Sequence, residues 1–529
     1  MNYILINIFL IILYVYYLHK IKHGFHILQL ESYKNERYKR WINENKNLII
    51  KRRELLLIVP SILIYINKTL AIIVGIIIAL LLYISRDIYI EKKPLIITKR
   101  VKRMYVTSSI IFIILAILAN IFEKLVLKSQ ILNNILLSIA LIAENALVIF
   151  SIYVVILINK INEPIENNIN KSFYNEAKRK LEEMPNMKII GITGSYGKTS
   201  TKYIVSTILE QKYNVLMTPE SYNTTMGVVR TINEKLNSTH EIFVCEMGAK
   251  NLGDIKEICD LVKPNYGILT AIGPQHLETF KTLENVRKTK MELIDAITDK
   301  AFVNYEDENI KETKINKENI KYGISKECDI YAYDIKITET GSVFSVHTKE
   351  GELKDIKTKL LGEHNIINIV AAIAIAKEMQ LTDEQIKMGI RYLKPVPHRL
   401  ELIKKSNGLT IIDDAYNSNI KGAKKALETL KLFEQKTKIL VTPGIVDLGE
   451  YSEKYNKELG QKAAECADYI ILVGEKQAKP IYDGIVSKNY PKEKIFVAKN
   501  LQEAISKWKE FSAENIVILL ENDLPDNYL

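Results

Sequence analysis

Apolar residues fill four long stretches in the first third of the chain: Tyr3–Leu18, Leu70–Ser85, Val106–Phe122 and Ile135–Ile158. Helices that are apolar on every face are buried in a large core or in a bilayer, and about 20 apolar residues span the hydrocarbon. A shorter run, Leu55–Ile66, precedes the second stretch. It either extends back towards Leu48 or forms half of a tight hairpin turning at Asn67-Lys68. From Glu166 the pattern changes. Short apolar runs at Met187–Ile190, Asn214–Leu216, Ile242–Cys245, Tyr266–Leu269 and Ala301–Asn304 alternate with amphipathic helical periodicity. This predicts an open α/β sheet, whose ligands collect at the carboxyl ends of the strands. The pattern breaks around Pro395 and Pro397. Further strands follow at Leu409–Asp413, Thr437–Val441, Tyr469–Val473 and Ile516–Leu520. The expected organisation is a helical membrane region over 1–165, a central α/β domain over 166–395 and a smaller Rossmann-like α/β domain over 396–529.

Charge supports the membrane reading. The formal charge of the 529-residue chain is +11, yet residues 1–165 alone hold 21 Lys/Arg and 9 Asp/Glu, leaving the remainder near neutral. A basic excess confined to the apolar region marks cytoplasmic loops and excludes a nucleic-acid partner. The loop holding Lys20–Arg53 and the loop holding Arg86–Arg103 both belong in the cytoplasm. An outside N-terminus, five spans and a cytoplasmic chain after Lys160 satisfy every loop. Residues 1–20 lack the basic start and small-residue cleavage site of a signal peptide. The segment Glu31–Asn45, with Tyr33, Tyr38 and Trp41 among charges, reads as an interfacial amphipathic helix. Glu144-Asn145 lie inside the last span and are either a functional site or a helix–helix hydrogen bond. Cys245, Cys259, Cys328 and Cys466 form no CxxC pair, so they read as buried reduced thiols.

The densest chemistry lies at Gly191-Ile-Thr-Gly-Ser-Tyr-Gly-Lys-Thr-Ser200. A glycine-rich turn between a strand and a helix aims backbone N–H groups at a phosphate. Lys198 adds charge for the outer phosphates, and the Thr199 hydroxyl suits Mg²⁺. Ile192 stands where the generic phosphate loop has glycine, while the variant TGSxGKTS is intact. Glu246, just past the run Ile242–Cys245, suits a metal beside such a loop, with Gly248 allowing a tight turn. Asp413-Asp414 end a second strand, where an acid can hold ribose hydroxyls.

Together these segments resemble the Mur ligases, the ATP-dependent amide-forming enzymes of peptidoglycan synthesis, and within them the type that adds D-alanyl-D-alanine to UDP-N-acetylmuramoyl-tripeptide. The resemblance rests on TGSYGKTSTK at 193–202, SYNTTMG at 221–227, CEMGAKNLGDI at 245–255 and HLETFKTLENVRKTKMELI at 276–294. It continues with GEHNIINIVAA at 362–372, PHRLE at 397–401, DDAYNSN at 413–419 and VDLGEYSEKYNKELG at 446–460. It implies ATP held by Gly194, Ser195, Gly197, Lys198, Thr199 and Ser200, with Asn365 and Asn368 near adenine and Asp414 on the ribose. It implies Mg²⁺ at Thr199 and Glu246, supported by His276, and a carbamylated Lys290 beside the metal. Arg399 would neutralise the γ-phosphate from the second domain, which closes on the first. Lys198, Lys290, His276 and Arg399 are the implied catalytic set.

The sequence departs from the family in three places. The apolar region replaces the UDP-binding N-terminal domain, Ile420 replaces a proline, and the end from Ile516 lacks a Lys-Gly-Ser-Arg stretch. Three readings follow. The first is a multi-pass bacterial membrane ligase with cytoplasmic catalytic domains. It would join D-alanyl-D-alanine to the UDP-linked peptide, with other cell-wall synthesis enzymes as partners. The second is a membrane Mur-type amide ligase, with D-alanyl-D-alanine or another amine donor, whose acceptor is a lipid-linked peptidoglycan precursor or a poly-γ-glutamate-like polymer. The third is a non-catalytic nucleotide-binding membrane scaffold, which the retained Lys198, Glu246, Lys290 and Arg399 oppose.

Overall fold

A computed structural model describes residues 2–87, 94–124, 130–416, 419–446 and 448–523. Lys92 and Lys93 of the second basic loop lie outside these residues, as do part of the 123–134 turn, Asn417, Ser418, Asp447 and the final stretch from Leu524. The chain divides into two compact units, Met1–Lys171 and Ser172–Leu524.

The first unit is helical. Among the described residues three helices are long and apolar enough to cross a membrane: Asn2–Leu30, Lys99–Lys124 and Ile131–Ile149. Lys68–Ile84 is equally apolar but has only 17 residues. The run Leu55–Ile66 is no span of its own. It folds as a 3-10 helix, Arg52–Ile58, and a five-residue helix, Val59–Leu63, that carries Pro60 near its start. It then turns so that Asn67 caps the next helix, accepting from the Leu70 N–H at 3.0 Å. This is the hairpin alternative. The stretch Ile135–Ile158 is likewise not one helix, since its regular assignment breaks at Phe150 between Gln130–Ile149 and Ser151–Glu182. The expected interfacial helix forms at Asn35–Glu44, but Tyr38 and Ile42 are buried and the Tyr38 hydroxyl donates to the Ile152 carbonyl at 3.0 Å. Its aromatic side therefore packs onto protein. Asn145 makes an interhelical bond, donating to the Leu57 carbonyl at 2.7 Å. Its neighbour Glu144 is fully buried with neither carboxylate oxygen hydrogen-bonded among the described residues.

The second unit holds two sheets. The strands of the larger are β1 (Lys188–Thr193), β2 (Val215–Met217), β3 (Ile242–Glu246), β4 (Tyr266–Leu269), β5 (Ala301–Asn304), β6 (Asn319–Gly323), β7 (Ile330–Thr338), β8 (Gly341–Thr348) and β9 (Gly351–Thr358). Their order is β2-β3-β1-β4-β5-β6-β7-β8-β9, parallel through β7 and antiparallel beyond. From β1 the chain goes first to one side, then to the other. The carboxyl ends of β1, β3 and β4 thus form a topological switch point, where open sheets bind ligands. β1 and β3 are buried on both faces, as central parallel strands require. The smaller sheet contains β10 (Glu401–Lys404), β11 (Thr410–Asp414), β12 (Thr437–Thr442), β13 (Tyr469–Val473), β14 (Ile495–Ala498) and β15 (Ile516–Glu521). Its order is β10-β11-β15-β12-β13-β14, with only β10 antiparallel. The antiparallel extension β7–β9, the inner strand β6 and the edge strands β10 and β14 lie outside the expected elements.

Candidate active site

β1 leads into the turn Gly194–Gly197 and then the helix Lys198–Leu209. Glycine is required twice. A Cβ on Gly194 would stand 2.0 Å from the Thr270 hydroxyl, and Gly197 has a φ of +82°. Ile192 needs no glycine, because it is still inside β1, fully buried and paired with Glu246 and Ile268. The turn is braced from behind. The Ser195 N–H donates to the Ala271 carbonyl at 2.8 Å. The Ser195 hydroxyl donates to the Gly273 carbonyl and accepts from the Gly273 N–H, both at 2.9 Å. That hydroxyl therefore shapes the loop, while backbone N–H groups at the helix start remain to meet an anion. The Lys198 ammonium folds back onto the Gly194 carbonyl at 2.7 Å. Burial lowers it to about 8, with Glu246 opposing the shift and Arg399 adding to it.

Glu246 closes β3 with a fully buried side chain. Its Oε1 accepts from the Thr199 hydroxyl at 3.1 Å and from Asn223 Nδ2 at 2.9 Å. Its Oε2 faces the Lys202 ammonium at 3.2 Å, and both side chains are essentially unexposed. Lys202 also donates to the Glu220 carbonyl. Burial pushes the Lys202 ammonium down, and the adjacent Glu246 carboxylate pulls it back up. Gly248 is obligatory, since a Cβ there would stand 2.6 Å from the Asn223 side chain. Asn368 reaches the loop from the helix Glu363–Glu378, accepting from the Thr201 hydroxyl at 3.1 Å.

Lys290 is buried on the helix Leu283–Ala296, and no hydrogen bond or ion pair among the described residues holds its ammonium. Burial holds it well below the ordinary lysine range and the nearby Lys198 charge adds to this, against Glu292, Asp254 and Glu246. From the smaller sheet's domain, the half-buried Arg399 lies with its guanidinium 4.5 Å from the Tyr416 ring centre. Its charge acts on Lys198 and Lys202, which puts it on the phosphate-loop side of its domain. Asp414 accepts from the Leu400 N–H at 3.0 Å. Burial raises it to about 6 against the pull of Arg399. Asp413 is taken by His398 Nδ1 at 2.8 Å.

The remaining expected residues make other contacts. His276 starts the short helix Leu277–Phe280 with a φ of 51°. Among the described residues no three His, Cys, Asp or Glu side chains lie close enough to hold a metal, so His276 completes no such group with Glu246. Asn365 donates to the Leu361 carbonyl at 2.8 Å, and Ser200 is half-buried in the first helical turn. Ile420, in the expected proline's place, is the first residue of the helix Ile420–Lys431, capped by Asn419. Proline is tolerated at that position because its N–H has no helical partner, so isoleucine does equally well there. Lys202 and Asn223 were not singled out from the sequence. The signal for Lys202 was its spacing, one turn after Thr199 on the same helix face.

The chain matches the Mur ligase middle domain over residues 192–376 and the Mur ligase glutamate ligase domain over 398–520, together more than half its length. The chain belongs to the Mur ligase family. Relatives of this Mur ligase include the UDP-N-acetylmuramoyl-tripeptide–D-alanyl-D-alanine ligase of Bacillus subtilis, 29% identical over 348 residues that cover 65% of the chain and 75% of the relative. The enzyme of the same name from Buchnera aphidicola is 32% identical over 288 residues, covering 53% of the chain and 61% of the relative. Among solved structures, MurF ligase from Thermotoga maritima in complex with ADP is similar with a TM-score of 0.60 and 25% identity, covering 67% of this chain and 80% of that one. This Mur ligase is thus an ATP-dependent, ADP-forming ligase, and the cluster at the carboxyl ends of β1 and β3 is its candidate ATP site.

Proposed function

We propose that this ligase joins D-alanyl-D-alanine to UDP-N-acetylmuramoyl-tripeptide in peptidoglycan synthesis, from the cytoplasmic side of a membrane. The observation that carries the reading is the convergence of Lys198, Thr199 and Glu246 with Arg399 from the second domain. A carboxylate acylates poorly because its leaving group would be oxide. In the proposed reaction the tripeptide's terminal carboxylate oxygen attacks the γ-phosphorus and ADP leaves, giving an acyl phosphate. The amine of D-alanyl-D-alanine attacks that carbonyl, loses a proton, and inorganic phosphate departs. The chain's part is positioning and charge neutralisation. Loop N–H groups and Lys198 hold the phosphates, and Arg399 meets the charge that grows on the transferred group. Asp414 is assigned to the ribose, and Asn365 and Asn368 to the purine side.

Mg²⁺ fits the donors present, because a hydroxyl and a carboxylate oxygen 3.1 Å apart are the hard ligands it takes. Thr199 and Glu246 would hold it, and when bound it neutralises phosphate charge. We assign a carbamate to Lys290. Carbamylation needs the free amine, and burial, with the nearby Lys198 charge, shifts Lys290 towards that form. The new group is anionic, so it removes the repulsion with Lys198. Under ¹³C-bicarbonate, a carbamate carbon signal should appear at neutral pH and fade on acidification, as protonation withdraws the amine. A signal that persists in Lys290→Met would exclude the assignment.

The apolar helices of the first unit favour a second reading, in which the acceptor is lipid-linked. One assay separates the two. Purified full-length protein is offered ATP, D-alanyl-D-alanine and either UDP-linked tripeptide or its lipid-linked counterpart in vesicles, and phosphate release is followed. Release with the UDP-linked acceptor, by activity that sediments with membranes before solubilisation, is expected. Release only with the lipid-linked acceptor replaces the first reading with the second, and soluble activity removes the membrane.

A further inference from the structure

The helix Ile420–Lys431 of the second domain reaches the central domain through side chains on one face. Lys421, Lys425 and Thr429 are four residues apart and therefore stack on the same side of it. At one end the Lys421 ammonium stands 3.1 Å from Asp307 Oδ2. Asp307 is nearly unexposed, whereas Lys421 is 48% exposed. The same Asp307 oxygen accepts from the Tyr196 hydroxyl at 3.2 Å, and Tyr196 occupies the variable position of the phosphate loop TGSYGKTS. The Lys421 ammonium lies 5.6 Å from the centre of that tyrosine ring. One helical turn on, Lys425 reaches Glu363 at 3.5 Å. Glu363 opens the helix that carries Asn365 and Asn368. A further turn on, the Thr429 hydroxyl lies 3.4 Å from where a Cβ on Gly362 would be.

We propose that Lys421 and Lys425 form a two-point latch that holds the second domain closed over the ATP site. Its first point is read by the phosphate loop through Asp307 and Tyr196. Its second is read by the adenine-side helix through Glu363. Both points sit on segments that nucleotide would touch, so a filled site and a closed latch stabilise each other, as linkage requires. Arg399, which belongs to the same domain as Lys421, is delivered to the pocket only when the latch is shut. Lys421, Lys425, Asp307 and Tyr196 are positioning residues: they act through Arg399 and the loop. The inference rests on the ATP-site reading above, but the geometry it concerns can be measured without turnover.

The latch is electrostatic and half-exposed, so it should respond to salt as a packed interface would not. The test uses the full chain in detergent, with spin labels at cysteines introduced at exposed Lys349 and Lys509, since the four native cysteines are buried. The expected result for the parent protein with Mg²⁺ and ADP is one narrow distance distribution that broadens in about 1 M salt, where the Debye length is about 3 Å. The double variant Lys421→Met/Lys425→Met should be broad at all salt concentrations. Its kcat should fall about fivefold to tenfold and its KM for ATP should rise, as the linkage requires, and Lys421→Arg/Lys425→Arg should restore the distance distribution and both kinetic readouts. A narrow, salt-insensitive distribution in the methionine variant overturns the latch even if its kcat falls. If the parent releases no phosphate with any acceptor, the proposed reaction fails while the distance measurement still decides the latch.

Discussion

Lys198→Ala should lower kcat by about 10³-fold or more while the protein keeps its melting temperature. Losing one well-placed charge or donor at a transferring group costs about 10²–10³-fold, and a charge that also holds the ground-state phosphates costs more. Lys198 is bound only to its own loop, through the Gly194 carbonyl, so the fold loses little when the ammonium is removed. The turn is held instead by Ser195 and Thr270, which the substitution leaves alone. Phosphate-release rates and thermal unfolding, measured on one preparation, check the two halves separately. Turnover near the parent rate would remove the loop from the ATP site altogether.

Lys202→Met should fail differently, through stability. Among the described residues it deletes the one cation paired with the fully buried Glu246 carboxylate and leaves that charge with the Thr199 and Asn223 donors. Breaking a buried pair by removing one partner costs about 3–5 kcal/mol, because the surviving charge stays desolvated. Glu246→Gln in the same chain should recover much of that loss, since both charges are then gone, yet it should not recover phosphate release. An unchanged unfolding midpoint in the single variant would show that the pair carries no such weight. A double variant as unstable as the single one would trace the loss to packing.

The two variants bear on what the sequence could disclose. The phosphate loop, Glu246 and Arg399 were legible because each has a local signature: glycines before Lys-Thr, an acid after an apolar run, an Arg in PHRLE. The central parallel strands were legible too, since burial on both faces leaves continuous apolar runs such as Ile242–Cys245, whereas the parallel strands β6 and β14 were not. The antiparallel β7–β9 were not. Their outer positions hold Asp334, Lys336, Lys354 and Lys357, and that alternation with turns resembles a polar loop when no partner strand is visible. Lys202 was obscured for a related reason. A lysine on an amphipathic helix reads as solvated, and only the fold puts Glu246 beside it. In the apolar region, composition gave the helices but not their breaks. Pro60 sits in a run that hydropathy treats as continuous, and the hairpin there depends on Asn67 as a cap.

The order β11-β15-β12 has a consequence for how the enzyme comes into being. β15 is translated after every other strand of its sheet, yet it lies in the middle, paired with β11 on one side and β12 on the other. Until residues 516–521 leave the ribosome the sheet is two pieces, β10–β11 and β12–β14, with no strand to join them. Arg399 and Asp414 belong to the first piece, and Asp414 pairs in register with Glu521 itself. The nascent chain can therefore place its apolar helices and fold its phosphate loop while it is still unable to complete the half that carries Arg399. Strand order withholds the completed second domain until synthesis has reached the last strand, long after the apolar helices have been made.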